Sequence, residues 1–170
     1  MVDKLKKSKT ILGSYYVINL KRRPDRLELF KKNCPLDNSK INRFEAVDGK
    51  LSTSIPDNFK SLSKGEVGCF LSHKLLWEKT LKQKDSDYSI IFEDDAIFTE
   101  NFQEDFNDII NTDINFNILY FGGRWVKNYK MKTCIKVTDK IVKYDYNKKW
   151  NSMDCDRCTF GYIISKKCCK

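Results

Sequence analysis

Apolar residues in this chain come in short blocks, and charged stretches of helical periodicity separate them. "SYYVINL", residues 14–20, is β-branched and aromatic with no alternating polar face, the pattern of a strand covered on both sides in a parallel sheet. "KRRPDRLELFKKN" follows, with Pro24 where a first helical position tolerates proline and with Leu27 and Phe30 spaced i, i+3. "INRFEAV" reads as a second short strand that runs into the turn signal "DGK". Residues 63–84 predict the strongest helix. Ser63 and Glu66 form an S-x-x-E capping box, Val67, Phe70, Leu71, Leu75 and Leu76 recur at helical spacing, and Cys69 and Trp77 widen that stripe as core residues. A strand over 88–93, a helix near 101–110 and a strand "FNILYFGG" over 116–123 come next. Two more strands are expected at 133–138 and 140–146; "FGYIIS" closes as a strand, and a helix begins after it.

Strands alternating with helical patterns predict one α/β domain: a mainly parallel sheet flanked by helices, over residues 14–170, behind a basic lead at 1–13. The polar residues sit where strands end: Asn19 and Arg23, Asp48, Glu93 to Asp95, and Gly122 with Gly123. Open α/β sheets bind ligands beyond the carboxyl ends of their strands, so these groups are expected on one rim.

The chain has 170 residues, 41% of them hydrophobic, which is enough to bury a core. A net charge of +9 raises the question of an anionic partner. The excess is mostly lysine scattered along the chain, which reads as a solvated surface and not as a nucleic-acid stripe. No stretch approaches the roughly 20 apolar residues that span a bilayer, and the lysine-rich start has no small-residue cleavage site, so a cytoplasmic location is expected. Seven cysteines, an odd number, argue against a disulfide scaffold. Cys155 and Cys158 form a C-x-x-C, open to readings as reduced structural residues, a redox pair or half of a zinc site.

The rim carries the candidate chemistry. Glu93, Asp94 and Asp95 stand together directly after an apolar strand. Adjacent carboxylates repel unless a positive group lies between them, and a hard divalent cation (Mn²⁺ or Mg²⁺) takes such oxygen ligands while keeping positions for phosphate oxygens. The plainer alternative is a solvated turn with one acid capping the next helix. Asn19 offers a donor and an acceptor to a base or ribose edge, and Arg23 and Arg26 offer planar forks for phosphate. Asp48 stands where a carboxylate can accept from ribose hydroxyls. His73, the single histidine, follows Ser72 in the capped helix and either packs there or touches a ligand or the acids.

"VINLKRRPDR", "FEAVDGK", "GEVGCFLSHKLLWEKTL", "IIFEDDAIF", "NILYFGG" and "GYIIS", in this order, resemble glycosyltransferase family 25, which includes lipopolysaccharide and procollagen galactosyltransferases. The resemblance covers about residues 14–165. It implies a GT-A-type, Rossmann-like fold and a metal-dependent transfer of galactose or glucose from a UDP-sugar to a hydroxyl of a glycan or of hydroxylysine, with inversion. It places Glu93, Asp94 and Asp95 at the metal and diphosphate, and Asn19, Arg23, Arg26, Asp48, Ser72 and His73 on the nucleotide side. Asp154 and Asp156 are the candidates for the general base that inversion requires. Family members are generally longer, which implies a short or truncated member. Two other readings compete: a non-catalytic relative that binds a nucleotide sugar or a partner protein, and a basic nucleic-acid-binding or phosphoryl-transfer protein.

Overall fold

A computed structural model describes residues 13–51, 59, 61–111, 116–121, 134–136, 142–144 and 160–170. Its elements are β1 (Gly13–Asn19), α1 (Pro24–Asn33), β2 (Ile41–Glu45), α2 (Lys64–Lys82), β3 (Tyr88–Glu93), α3 (Phe102–Ile110), β4 (Ile118–Tyr120), β5 (Cys134–Lys136), β6 (Val142–Tyr144) and β7 (Gly161–Ser165). A 3₁₀ turn, Asn38–Lys40, leads into β2.

Five strands make one sheet in the order β2-β1-β3-β7-β4. β1 pairs in parallel with both β2 and β3, while β7 runs antiparallel between β3 and β4. The sheet is therefore mixed and mostly parallel, as an α/β pattern requires. β5 and β6 pair with each other as a separate two-stranded ribbon.

The period-two geometry of the strands sorts their side chains onto two covered faces. Val17, Ile90, Phe92 and Ile163 form one face with Phe30 of α1 and Phe106 of α3. Tyr16, Ile18, Ile91, Tyr162 and Ile164 form the other with Leu76 of α2. Covering on both sides explains the uninterrupted apolar runs in β1 and β3, and each fully buried large side chain contributes about 1.5–3 kcal/mol.

α1 and α2 thus lie on opposite faces, and the chain moves from β1 outward to β2 and then back across β1 to β3. The winding direction reverses between β1 and β3. Such a reversal opens a crevice at the carboxyl ends of the two strands, because the connections that leave them diverge.

α2 differs from its sequence expectation in which face it buries. Val67, Gly68, Ser72, His73, Leu76 and Thr80 are buried, whereas Phe70 and Leu75 are exposed. The inward ridge Gly68–Ser72–Leu76–Thr80 has i+4 spacing and is mostly small, so the helix axis can approach the sheet. Its two hydroxyls are satisfied locally: Ser72 donates to the Gly68 carbonyl at 2.7 Å and Thr80 to the Leu76 carbonyl at 2.8 Å. Cys69, expected in the core, is exposed instead. The capping box forms as expected: Ser63 accepts from the Glu66 N–H, and the Glu66 carboxylate accepts from the Ser63 N–H at 2.8 Å.

Candidate functional site

The crevice between β1 and β3 is a cleft of about 180 Å³. Among its lining residues are Arg22, Arg26, Asp48, Lys50, Cys69, Ser72, His73 and all three acids, Glu93, Asp94 and Asp95. The apolar residues that follow the acids hold the turn from behind. Phe98 and Phe102 pack edge-on at 4.9 Å, and Phe98 lies 5.6 Å from both Phe30 and Phe92.

Strand alternation separates the acids. Glu93 follows Phe92 and points to the α2 face; Asp94 points to the α1 face. On the α1 side, Asp94 accepts from the Asn19 amide at 2.7 Å and pairs with Arg26 at 3.2 Å. Arg26 also donates to Asp95 at 2.8 Å, so one guanidinium fork bridges two carboxylates. Burial pushes the Asp94 carboxyl above its usual range, the Asn19 hydrogen bond and the Arg26 charge oppose this, and the nearby Asp95 charge reinforces it.

Asn19 is fully buried, and its amide is used within the protein. It donates to Asp94 and to the Arg23 carbonyl at 2.8 Å and accepts from Arg43 at 3.0 Å. Both polar ends of its side chain are therefore taken up within the protein, where they fix the position of Asp94. Arg23 turns to Asp25, at 2.7 Å. Asp48 accepts from Arg22 at 2.6 Å and from the Lys50 N–H at 3.0 Å, and the Arg22 bond chiefly holds its carboxyl below the usual range.

The Asp48 loop is held against α2. The Ser72 hydroxyl accepts from the Val47 N–H at 2.8 Å. A Cβ on Gly68 would meet the Val47 carbonyl oxygen at 2.7 Å and the Gly49 nitrogen at 2.8 Å, so the backbones touch only because residue 68 is glycine.

On the α2 side, His73 Nε2 lies 3.0 Å from Glu93 Oε1, and Nδ1 lies 2.6 Å from the Tyr162 hydroxyl. An ionised carboxylate only accepts, so Nε2 carries the proton in the neutral ring and the Tyr162 O–H donates to Nδ1. Trp77 Nε1–H donates to the Tyr162 oxygen at 3.0 Å. A directed chain thus runs Trp77–Tyr162–His73–Glu93, and burial pushes the Tyr162 hydroxyl far above its ordinary pKa. Cys69, one helical turn before His73, places Sγ 3.9 Å from the same Glu93 oxygen.

Sequence reasoning expected Asn19, Arg23, Asp48 and Glu93 to Asp95 on one rim, with Arg26, Ser72 and His73 as further candidates. Of these, Arg26, Asp48, Ser72, His73, Glu93, Asp94 and Asp95 line the cleft, whereas Asn19 is buried behind Asp94 and Arg23 pairs with Asp25. Sequence reasoning missed Tyr162, Trp77, Arg43 and the cleft position of Cys69. Strand parity at Glu93 and the i, i+4 spacing of Cys69 and His73 were the signals present for the last of these. Asp154, Asp156, Gly122, Gly123 and the Cys155–Cys158 pair lie outside the described residues. No helix among the described residues is long and apolar enough to cross a membrane.

Residues 13–170 match the sequence model of the family described as "Glycosyltransferase family 25 (LPS biosynthesis protein)". The chain is 31% identical over 180 aligned positions to a Drosophila melanogaster protein named "Glycosyltransferase 25 family member", covering 95% of this chain and 28% of that one. It is 27% identical over 169 positions to human "Procollagen galactosyltransferase 2", covering 88% and 25%. It is also 31% identical over 140 positions to a rat protein named "Probable inactive glycosyltransferase 25 family member 3", covering 71% and 24%. The chain thus spans about a quarter of the length of these relatives.

Proposed function

The chain belongs to glycosyltransferase family 25, and from that premise we propose that the β1–β3 cleft binds a nucleoside-diphosphate sugar, UDP-galactose or UDP-glucose, for transfer of the hexose to a hydroxyl acceptor with inversion. The observation that carries this reading is the bridge of Arg26 across Asp94 and Asp95 at a strand-end crevice.

Those two carboxylates already converge on one positive group, and their oxygens suit a hard cation that takes the rest of its shell from phosphate and water. Asp94 and Asp95 would hold Mn²⁺ or Mg²⁺. Bound there, such a cation supplies Lewis-acid compensation for the charge that grows on the departing diphosphate. Arg26 is one-third exposed and can exchange its carboxylate partners for phosphate oxygens, which match its fork equally well. Asn19 keeps the Asp94 carboxylate aimed into the cleft, and the seam of Ser72 and Gly68 keeps Asp48 at its edge. The acceptor is a glycan or a protein hydroxyl such as hydroxylysine, in line with the relative named as a procollagen galactosyltransferase.

The test is Mn²⁺-dependent release of UDP from UDP-galactose and UDP-glucose, in wild type and in Asp95→Ala. Release that needs Mn²⁺ and falls at least tenfold in Asp95→Ala is the expected outcome. Release indifferent to that substitution removes Asp95 from the metal. A second reading, a fold that binds the donor without transferring it, draws on the relative named as a probable inactive member. It predicts saturable UDP binding with no UDP release.

A further inference from the structure

Among the described residues, a group of three metal-ligating side chains has all its donor atoms within 4.8 Å of one another: Cys69, His73 and Glu93. We propose that this group is a second cation site, selective for a borderline transition ion such as Zn²⁺ or Co²⁺ and distinct from the oxygen site at Asp94 and Asp95. The inference does not depend on sugar transfer, since it concerns only what the α2 side of the cleft can coordinate.

Three observations converge on it. The first is distance. Zn–S near 2.3 Å with Zn–N and Zn–O near 2.0–2.1 Å sets tetrahedral ligand separations of roughly 3.3–3.6 Å. The His73–Glu93 contact of 3.0 Å and the Cys69–Glu93 contact of 3.9 Å bracket that range, and all three donor atoms lie within 4.8 Å of one another, so the exposed Cys69 side chain is the ligand that moves in to close the shell.

The second is donor chemistry. A thiolate, an imidazole and one carboxylate select Zn²⁺ or Co²⁺ over Mn²⁺ or Mg²⁺, whereas two carboxylates do the reverse. Cys69 and His73 are one turn apart on a regular, capped helix, and the third ligand comes from the end of β3, so rigid elements carry all three.

The third is the outer partner. A ligating histidine commonly donates its other ring N–H to a fixed acceptor, which sets ring orientation and basicity. Here Tyr162 lies 2.6 Å from Nδ1 and is itself fixed by Trp77. On binding, the Cys69 thiol gives its proton to solvent. The imidazole proton moves from Nε2 to Nδ1, and the Tyr162 hydroxyl rotates to accept it. The ion gains three protein ligands and keeps a fourth position on the cleft side, where water or a phosphate oxygen fits.

The test is titration of the reduced, metal-stripped chain with Co²⁺, reading the thiolate-to-cobalt charge-transfer band and the intense visible bands of tetrahedral cobalt. One equivalent is expected to be lost in Cys69→Ser, kept in Asp95→Ala, displaced by Zn²⁺ and weakened about tenfold or more in Tyr162→Phe. Cys69 is exposed, so its serine variant keeps the fold, and far-ultraviolet circular dichroism checks this. A cobalt–thiolate spectrum unchanged in Cys69→Ser would overturn the site. So would loss of that equivalent in Asp95→Ala with retention in Cys69→Ser, which would return the ion to the oxygen ligands and leave the glycosyl-transfer reading standing.

Discussion

At the scale of single residues, Asn19 ties three parts of the site together without carrying a charge. Its one amide meets the β1 exit turn, Asp94 and Arg43. Asn19→Ala leaves a buried carboxylate oxygen and a backbone carbonyl without their donor, at about 1–3 kcal/mol for each unpaired group. An unfolding free energy from urea denaturation lowered by at least about 2 kcal/mol is expected; a loss under about 0.5 kcal/mol would mean that water takes over these bonds. The residue type was legible as a candidate, but its role was not. Sequence showed a polar residue at a strand end, while burial and three internal partners turn it from a ligand contact into a support for Asp94.

At the scale of elements, α2 supplies one wall of the site through Cys69, Ser72 and His73, and its start is its most testable part. Ser63→Ala removes one side of the capping box, with an expected cost of about 1 kcal/mol in thermal or denaturant unfolding. The hydrogen bonds from Ser63 hold the Glu66 carboxyl below its ordinary 4.5. The folded value being the lower one, the contribution of Glu66 is complete above the unfolded pKa and is lost as pH falls through the folded value. Glu66→Gln is expected to flatten that acid-side slope of stability against pH; an unchanged slope would assign it to other carboxylates.

The existence and order of α2 were readable from its cap and its length. The buried face was not, because hydrophobicity favours Phe70 and Leu75 over a ridge of Gly68, Ser72 and Thr80. Small residues bury by allowing close approach, which a hydropathy pattern does not register. The same blindness put Cys69 in the core.

At the scale of the whole molecule, alternation of strands and helices made the α/β class and the position of the β1–β3 cleft legible, because both follow from patterns local in sequence. The place of β7 was not legible, since strand order depends on pairing between distant segments. The proposed donor binding would act on the whole fold and has a matching measurement. A ligand that binds only the folded state at about 100 times its Kd adds about 2.7 kcal/mol. UDP with Mn²⁺ is therefore expected to raise Tm by roughly 5–10 °C for a chain of this size. No shift with UDP and Mn²⁺ together would argue against a donor cleft.

The antiparallel β7 also imposes an order of events on the growing chain. β3 and β4 are both made long before it, yet among the described residues β4 pairs with nothing else in the sheet, and one edge of β3 waits for the same partner. Until residues 161–165 leave the ribosome, two unpaired strand edges stand open to other chains, a hazard of aggregation that grows with the delay. Because Tyr162 arrives on that strand, the hydrogen-bonded chain behind His73 is closed in the same event that joins β4 to the sheet.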